Sequence, residues 1–229
     1  MFGRRTRLAA FGALSVGACA VLAACSPVKM GAAAIVGDQR ITTSSLDTQV
    51  SNLQTAAAPY GSQVQLTSTE MPAAVLGWLI RFAIQDEVTA SAGISLTQQQ
   101  VQAGVASINS QAKSAASSDG LSSAEAVLLS AGVSPQMLPA LGRYQAQEIA
   151  YAEKVNGGKV PSTTAEDNTV DAALTKAECT AAKSLNIQVN PQFGRLDYSQ
   201  YTVVPVADML SRPAGTPSPA STTGLTPAC

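Results

Sequence analysis

One short apolar segment near the start of the chain constrains the fold most strongly. The apolar run 34–36 precedes a Gly37-Asp38 turn signal, and residues 40–42 resume an extended pattern before a helix begins. A lone strand leaves its backbone donors and acceptors unpaired, so this segment requires a partner strand. The only good candidate lies about 150 residues further along, and the chain between the two must fold as an insert that brings them together.

Residues 186–198 are that candidate partner. Ile187 and Val189 alternate with polar neighbours, Asn190-Pro191 predicts a turn, and the extended pattern then continues. Proline cannot donate to a strand ladder, so this segment is expected at the edge of a small sheet. The sequence therefore predicts a sheet that pairs the first strand with a strand near the other end of the chain.

Helical periodicity and capping signals dominate the segment between the two strands. A capping box at Thr97 and Gln100 marks one start, and a second is expected at Ser122 and Glu125. The predicted fold class is mainly α, with six helices at 44–57, 72–93, 97–113, 122–132, 134–156 and 165–185.

The amino-acid composition excludes several classes of function. The chain has no histidine, which excludes a Ser-His-Asp or Cys-His site, a histidine-ligated metal and a histidine general base. The formal net charge is -1, so no basic field attracts nucleic acid. Neighbouring carboxylates such as Asp86-Glu87 point about 100° apart on a helix and are expected to be solvated rather than to clamp an ion. We expect no enzyme activity, no cofactor and no metal.

The first 24 residues are typical of a secretory signal peptide. Three arginines, Arg4, Arg5 and Arg7, precede a weakly polar to apolar run that ends in Leu22-Ala23-Ala24-Cys25. This ending resembles the lipobox of bacterial lipoproteins, which implies cleavage before Cys25 and acylation of its thiol. The alternative is an ordinary leader with Cys25 left free. Residues 25–31 are then a short linker that keeps the next domain close to the outer face of the cell membrane.

Two segments resemble the SurA/PrsA family of extracytoplasmic chaperones. The segment 32–47, AAAIVGDQRITTSSLD, is similar to the family's opening strand and helix, and 190–197, NPQFGRLD, is similar to the strand that closes that domain. The resemblance implies a helical SurA N-terminal-like domain over 32–210, in which the two strands pair. Gln192 and Leu196 depart from the family pattern, which usually has an arginine and an aromatic there.

The family often carries a parvulin prolyl isomerase domain, and this chain has no room for one. About thirty residues separate Gly157 from Asn190, nearly all needed for one helix. The resemblance therefore implies a binder of unfolded or secreted polypeptides without isomerase activity. Residues 211–229, rich in proline, serine and threonine, are expected to form a disordered tail.

Four aromatic residues are the candidate client contacts: Trp78, Phe82, Tyr144 and Tyr151. Trp78 and Phe82 are four apart in a predicted helix and share a face. Core packing and a client-contact platform both explain this pair.

The mature chain keeps two further cysteines, Cys179 and Cys229. Thiols outside the cytoplasm often pair, so a Cys179–Cys229 disulfide is one hypothesis; a buried Cys179 with a free Cys229 is the other. The functional hypothesis is a lipid-anchored, ATP-independent polypeptide binder, and the alternative is a scaffold lipoprotein that docks one envelope partner.

Overall fold

The computed structural model describes residues 31–206, and the predicted leader, Cys25 and the predicted tail lie outside this range. The described chain is mainly helical, as expected. Its helices are α1 (Thr43–Ala57), α2 (Met71–Ser91), α3 (Gln98–Asp119), α4 (Ala124–Ser130), α5 (Leu138–Val155) and α6 (Thr164–Ser184). Its strands are β1 (Ala32–Val36), β2 (Gln39–Thr42), β3 (Gln188–Val189), β4 (Arg195–Asp197) and β5 (Thr202–Val204).

The predicted pairing of the first strand is confirmed. Strand β1 lies between β2 and β3, and both neighbours run antiparallel to it. Ala34 is opposite Val189, and the Asn190 side-chain amide donates a hydrogen bond of 3.1 Å to the Ala32 carbonyl. Because β1 is central, both of its edges are paired and its small side chains are buried.

The turn between β1 and β2 ties this sheet to the end of α6. Gly37 has a φ of 57°, as in two-residue hairpin turns that place glycine first. Its amide donates to the Leu185 carbonyl at 2.6 Å, and a Cβ at this position would be 2.9 Å from the Leu185 side chain. A glycine is therefore required both by the backbone conformation and by the close approach of Leu185.

Helix α2 is the centre of the hydrophobic core. One face of it is at most 3 % exposed, and α1, α5, α6, β1 and β5 pack around it. Burial of each large aliphatic side chain contributes about 1.5–3 kcal/mol, so this face supplies much of the stability. The buried aliphatic residues of this face are Val75, Leu76, Ile80, Ile84 and Val88.

Three helix boundaries differ from the sequence prediction. The helix predicted over 134–156 begins only at Leu138, because Pro135–Met137 form a separate 3₁₀ turn before it. Helix α3 continues to Asp119 instead of ending near Lys113, and Gly120 closes it in a left-handed conformation. The serines and small residues of 114–119 do not break the helix, because α3 packs against α5 and α4 and Ala116 in this stretch is buried. The cap of α4 is Ser123 rather than Ser122, since the Ser123 hydroxyl accepts the Ala126 amide at 3.2 Å.

The closing segment also differs from the prediction. Strand β4 does not continue the first sheet but pairs with β5 as a separate antiparallel hairpin. The turn at 190–194 redirects the chain: the Asn190 side chain accepts the Gln192 amide at 3.1 Å, and Gly194 has a φ of 130°. This hairpin lies on α2, where a Cβ at Gly77 would be 3.6 Å from the Val203 nitrogen.

Candidate functional site

Three of the four predicted aromatic contacts form one cluster. The ring centroids of Trp78 and Phe82 are 5.8 Å apart, and those of Trp78 and Tyr144 are 6.1 Å apart with the rings edge to face. Phe82 and Tyr144 complete the triangle at 6.0 Å. The shared face of Trp78 and Phe82 on α2 is therefore confirmed, and α5 supplies the third ring. All three side chains are half-buried against the core.

Tyr151, the fourth candidate, occupies a different position. It lies two turns further along α5, and its hydroxyl donates to the Ala173 carbonyl of α6 at 3.3 Å. Its ring packs against the hydrophobic core. Tyr151 therefore links α5 to α6 and does not extend the aromatic cluster.

Arg81 joins this cluster to the β4–β5 hairpin. Its guanidinium carbon lies 5.0 Å from the centre of the Trp78 ring, and its Nη2 donates to the Gln200 carbonyl at 2.6 Å. A cation over the face of tryptophan is attracted by the ring quadrupole, by about 0.5–1 kcal/mol at exposed sites. The Trp78 indole in turn donates to the Ala131 carbonyl at 2.8 Å. These contacts fix both side chains in place.

Two cavities lie on either side of Arg81, which lines both. The first, here called the acidic cavity after Glu148 and Glu178, has a volume of about 930 Å³ between α2, α5, α6 and the segment 198–201, and Lys176 and Lys183 also line it. The second, the apolar cavity, has a volume of about 990 Å³ between the first half of α2, residues 191–194 and β5. Trp78 lines the apolar cavity and Tyr144 the acidic one. We call the two cavities together the cradle.

Two glutamates in the acidic cavity have pKa values above their ordinary value. Burial, and after it the charge of Glu148, raise the pKa of Glu178 to about 7 against the opposing charge of Arg81. Burial also raises the pKa of Glu148, against a hydrogen bond from Tyr144 and the charge of Arg81. Near neutral pH, the Glu178 carboxyl therefore gains and loses a proton readily.

Three tyrosines complete the wall of the acidic cavity. Burial raises the pKa of Tyr144 far above its ordinary value, and the charges of the nearby glutamates add to this effect. Burial, Glu178 and Tyr198 together raise the pKa of Tyr201 to about 12, and burial raises the pKa of Tyr198. All three hydroxyls stay protonated and remain hydrogen-bond donors.

The apolar cavity has different chemistry. Trp78, Phe193 and Val203 contribute apolar surface, and prolines and alanines supply much of the remaining wall. Val206 stands at its edge with 49 % of its surface exposed. The cradle therefore offers an apolar compartment beside a polar one that carries charges of both signs, within reach of a single extended chain.

Helices α2 and α5 are also joined by a polar contact beside the cradle. Arg143 forms a salt bridge with Asp86 at 2.9 Å, and the Gln147 amide donates to Asp86 at 2.6 Å and to Thr89 at 3.1 Å. The neighbouring Glu87 accepts from the Ser91 hydroxyl at 3.1 Å instead. The Asp86-Glu87 pair therefore makes two separate contacts, as its helical geometry predicts.

Cys179 lies in the wall of the acidic cavity and is disulfide-bonded. It is the only cysteine within residues 31–206, so its partner lies outside the described range. Pairing with Cys229 and lipidation of Cys25 both stay predictions.

Comparison with known proteins gives no relative for this chain. No family model, no curated protein and no solved structure matches it. Within residues 31–206, no group of three or more acidic or cysteine side chains is placed to hold a metal ion. In the same range, no helix combines the length and the apolar character needed to cross a bilayer.

Sequence reasoning missed five residues of the cradle: Arg81, Glu148, Glu178, Tyr198 and Tyr201. A weak signal existed for two of them. Arg81 follows Trp78 by three residues and Glu148 follows Tyr144 by four, so each shares a helix face with a chosen aromatic residue. The other three reach the cavity only through the packing of α6 and the hairpin, which periodicity does not reveal.

Proposed function

We propose that this protein is a lipid-anchored, extracytoplasmic lipoprotein that binds unfolded or extended polypeptide in the cradle, without ATP and without prolyl isomerase activity. One observation carries the proposal: two adjacent cavities of about 930 and 990 Å³ share Arg81 and are flanked by the Trp78–Phe82–Tyr144 cluster. Their mixed lining suits clients of varied sequence.

The size of the cradle fits segments of extended chain. A strand advances about 3.3 Å per residue, so each cavity, roughly 10 Å across, accommodates about three residues. Apolar client side chains gain about 25 cal/mol for each Å² removed from water in the apolar cavity. Client backbone and polar or charged side chains find tyrosine hydroxyls, carboxyl groups and cationic groups in the acidic cavity. Binding of this kind is weak for each client and tolerant of sequence.

The leader pattern supports the proposed location. If Cys25 is acylated, the short linker 25–31 places strand β1 and the whole domain next to the outer face of the membrane. Two or more acyl chains give a stable anchor, whereas one chain binds only marginally. A cradle held at this surface meets secreted polypeptides as they emerge.

The test is suppression of aggregation. A chemically unfolded client without cysteines is diluted into the purified protein, with and without reductant, and light scattering is followed. We expect dose-dependent suppression at near-stoichiometric ratios under reducing conditions. Absence of suppression by a folded protein would contradict the proposal and favour the alternative, a scaffold lipoprotein that docks one envelope partner.

A matched pair of variants assigns the effect to the cradle. Val206 and Val160 are both exposed valines, at 49 % and 65 %, but of the two only Val206 lines the cradle. A charge at the edge of the apolar cavity must be desolvated when an apolar client binds. We expect Val206→Asp to reduce suppression several-fold and Val160→Asp to leave it unchanged. Equal effects of the two variants would show that the client binds elsewhere.

A further inference from the structure

We propose that residues 207–229 of this chain occupy the cradle when no client is bound, held across both cavities by a disulfide between Cys179 and Cys229. The inference rests on the proposed function, because it assigns a regulator to the same surface. We call residues 207–229 the tether segment.

The two residues to which the tether segment would be joined line different cavities of the cradle. Val206, the residue before it, lines the apolar cavity. Cys179, the residue to which it would be bonded, lines the acidic cavity and already forms a disulfide. Arg81 stands between the two cavities. A chain that leaves Val206 and returns to Cys179 therefore crosses both openings.

Elimination among the cysteines selects Cys229 as the partner. The chain has four cysteines, and apart from Cys179 these are Cys19, Cys25 and Cys229. Under the proposed lipoprotein processing, Cys19 leaves with the leader. In that processing the Cys25 sulfur is alkylated by a diacylglyceryl group, and the resulting thioether has no thiol to form a disulfide. Cys229 alone keeps a free thiol.

The length and the apolar residues of the tether segment also fit the two cavities of the cradle. A random-coil chain of about 23 residues has an r.m.s. end-to-end distance of roughly 24–29 Å, comparable with two neighbouring cavities each about 10 Å across. Met209 and Leu210 follow Val206 closely and suit the apolar cavity.

The prolines of the tether segment suit an aromatic-lined groove. Four prolines lie at 213, 217, 219 and 227, and such sequences favour the extended polyproline conformation. Grooves with exposed aromatic residues bind this conformation at low entropic cost. The cradle presents Trp78 and Phe193 in one cavity and Tyr144 in the other.

Formation of this disulfide requires a two-electron oxidant, which an oxidising compartment supplies. The thiols of Cys179 and Cys229 lose two protons and two electrons to a protein disulfide, which becomes a dithiol as the new S–S bond forms. A dithiol reductant reverses the step. In the bonded state, the tether segment is at an effective concentration near the millimolar range and competes with clients.

The experiment uses the full-length gene product, expressed in a bacterial envelope and extracted in detergent. Mass spectrometry of the non-reduced protein identifies the partner of Cys179. Quenching by acrylamide then measures the exposure of Trp78, the only tryptophan of the chain, in the oxidised protein and in Cys229→Ser. Binding of an unfolded cysteine-free polypeptide is measured on the same samples.

We expect a Cys179–Cys229 peptide, a Trp78 quenching constant at least about twofold higher in Cys229→Ser, and client binding about tenfold tighter in that variant. Reductant should reproduce both changes in the unsubstituted protein and have no effect on Cys229→Ser. A bond from Cys179 to Cys19 or Cys25, or equal quenching in the two forms, would overturn the inference. Changed quenching with no client binding in any form would retain the tether and reject the proposed function.

Discussion

Gln85 is the most unusual single residue of the core. It is fully buried on α2, and neither atom of its side-chain amide forms a hydrogen bond within residues 31–206. A buried amide without partners costs about 1–3 kcal/mol, because its hydrogen bonds to water are lost on folding and not replaced. This side chain therefore weakens the helix around which the cradle is built.

We expect Gln85→Met, which keeps the length of the side chain, to raise the free energy of unfolding by about 1–3 kcal/mol. Urea denaturation measures the change. Gln102→Met is the control, since Gln102 is exposed on α3 and its replacement should change stability by less than about 0.5 kcal/mol. A destabilised Gln85→Met would show that the amide is satisfied in solution.

Glu178 makes the stability of the protein depend on pH. Its folded pKa of about 7 lies above the ordinary glutamate value of 4.5, so the folded state holds a proton that the unfolded state releases between these pH values. Stability therefore falls as pH rises from about 4.5 to about 7. Because the side chain is only partly buried, solvent limits this loss to roughly 1–2 kcal/mol.

We expect Glu178→Gln to be more stable than the unsubstituted protein at pH 8, by roughly 1–2 kcal/mol, and equally stable at pH 4. Thermal or urea unfolding across pH 4–8 checks both limits. Asp171→Asn, exposed on the same helix, should follow the unsubstituted curve. A Glu178→Gln curve parallel to the unsubstituted one would contradict the buried environment assigned to this carboxyl.

At the scale of elements, two glycines set the packing of α3 on α5. A Cβ on Gly104 would clash with the Gly142 carbonyl, and a Cβ on Gly142 would clash with the Val105 side chain. The two helix backbones are therefore in direct contact. This contact holds α3 in place, and α5 in turn carries Tyr144 and Glu148 into the cradle.

Helix propensity alone predicts that Gly104→Ala stabilises α3 by about 1 kcal/mol. We expect the opposite, a loss of about 2–4 kcal/mol, because the helices must separate to admit the methyl group. Ala106→Gly at an exposed position of α3 should cost only about 1 kcal/mol. Chemical denaturation compares the two, and a stabilised Gly104→Ala would refute the close contact.

The sequence predicts the elements well where the signal is local. The periodicity of α2, the Thr97 capping box and the pairing of β1 with a late strand all appear in the structure. Strand β5 gave no such signal, since it has three residues and acquires its partner only through the turn at 190–194. The end of α3 was misplaced because contact with α5 outweighs the weak propensity of its last residues.

The candidate site was predictable only in part. The spacing of Trp78 and Phe82 places them on one face, and Tyr144 joins them because α5 crosses α2 at that point. Glu178, Tyr198 and Tyr201 come from elements about 100 residues away from α2, and only tertiary packing brings them to Arg81. A pattern within one helix carries no information on such neighbours.

At the scale of the whole molecule, the central claim is that the cradle holds extended polypeptide. Helix α2 forms its floor, α5 and α6 form one side, and the β4–β5 hairpin forms the other. The claim is therefore tested by finding which surface of the protein contacts the bound client, since binding alone does not show which surface is used.

The most direct measurement is site-specific photo-cross-linking to an unfolded, cysteine-free client, performed on the Cys229→Ser chain. A photoreactive amino acid replaces Thr175 at the acidic cavity, Gln192 at the apolar cavity or Gln102 on α3, all of them exposed. We expect strong cross-links from the first two positions and only background from Gln102. Equal cross-linking at all three positions, or cross-linking only from α3, would contradict the account.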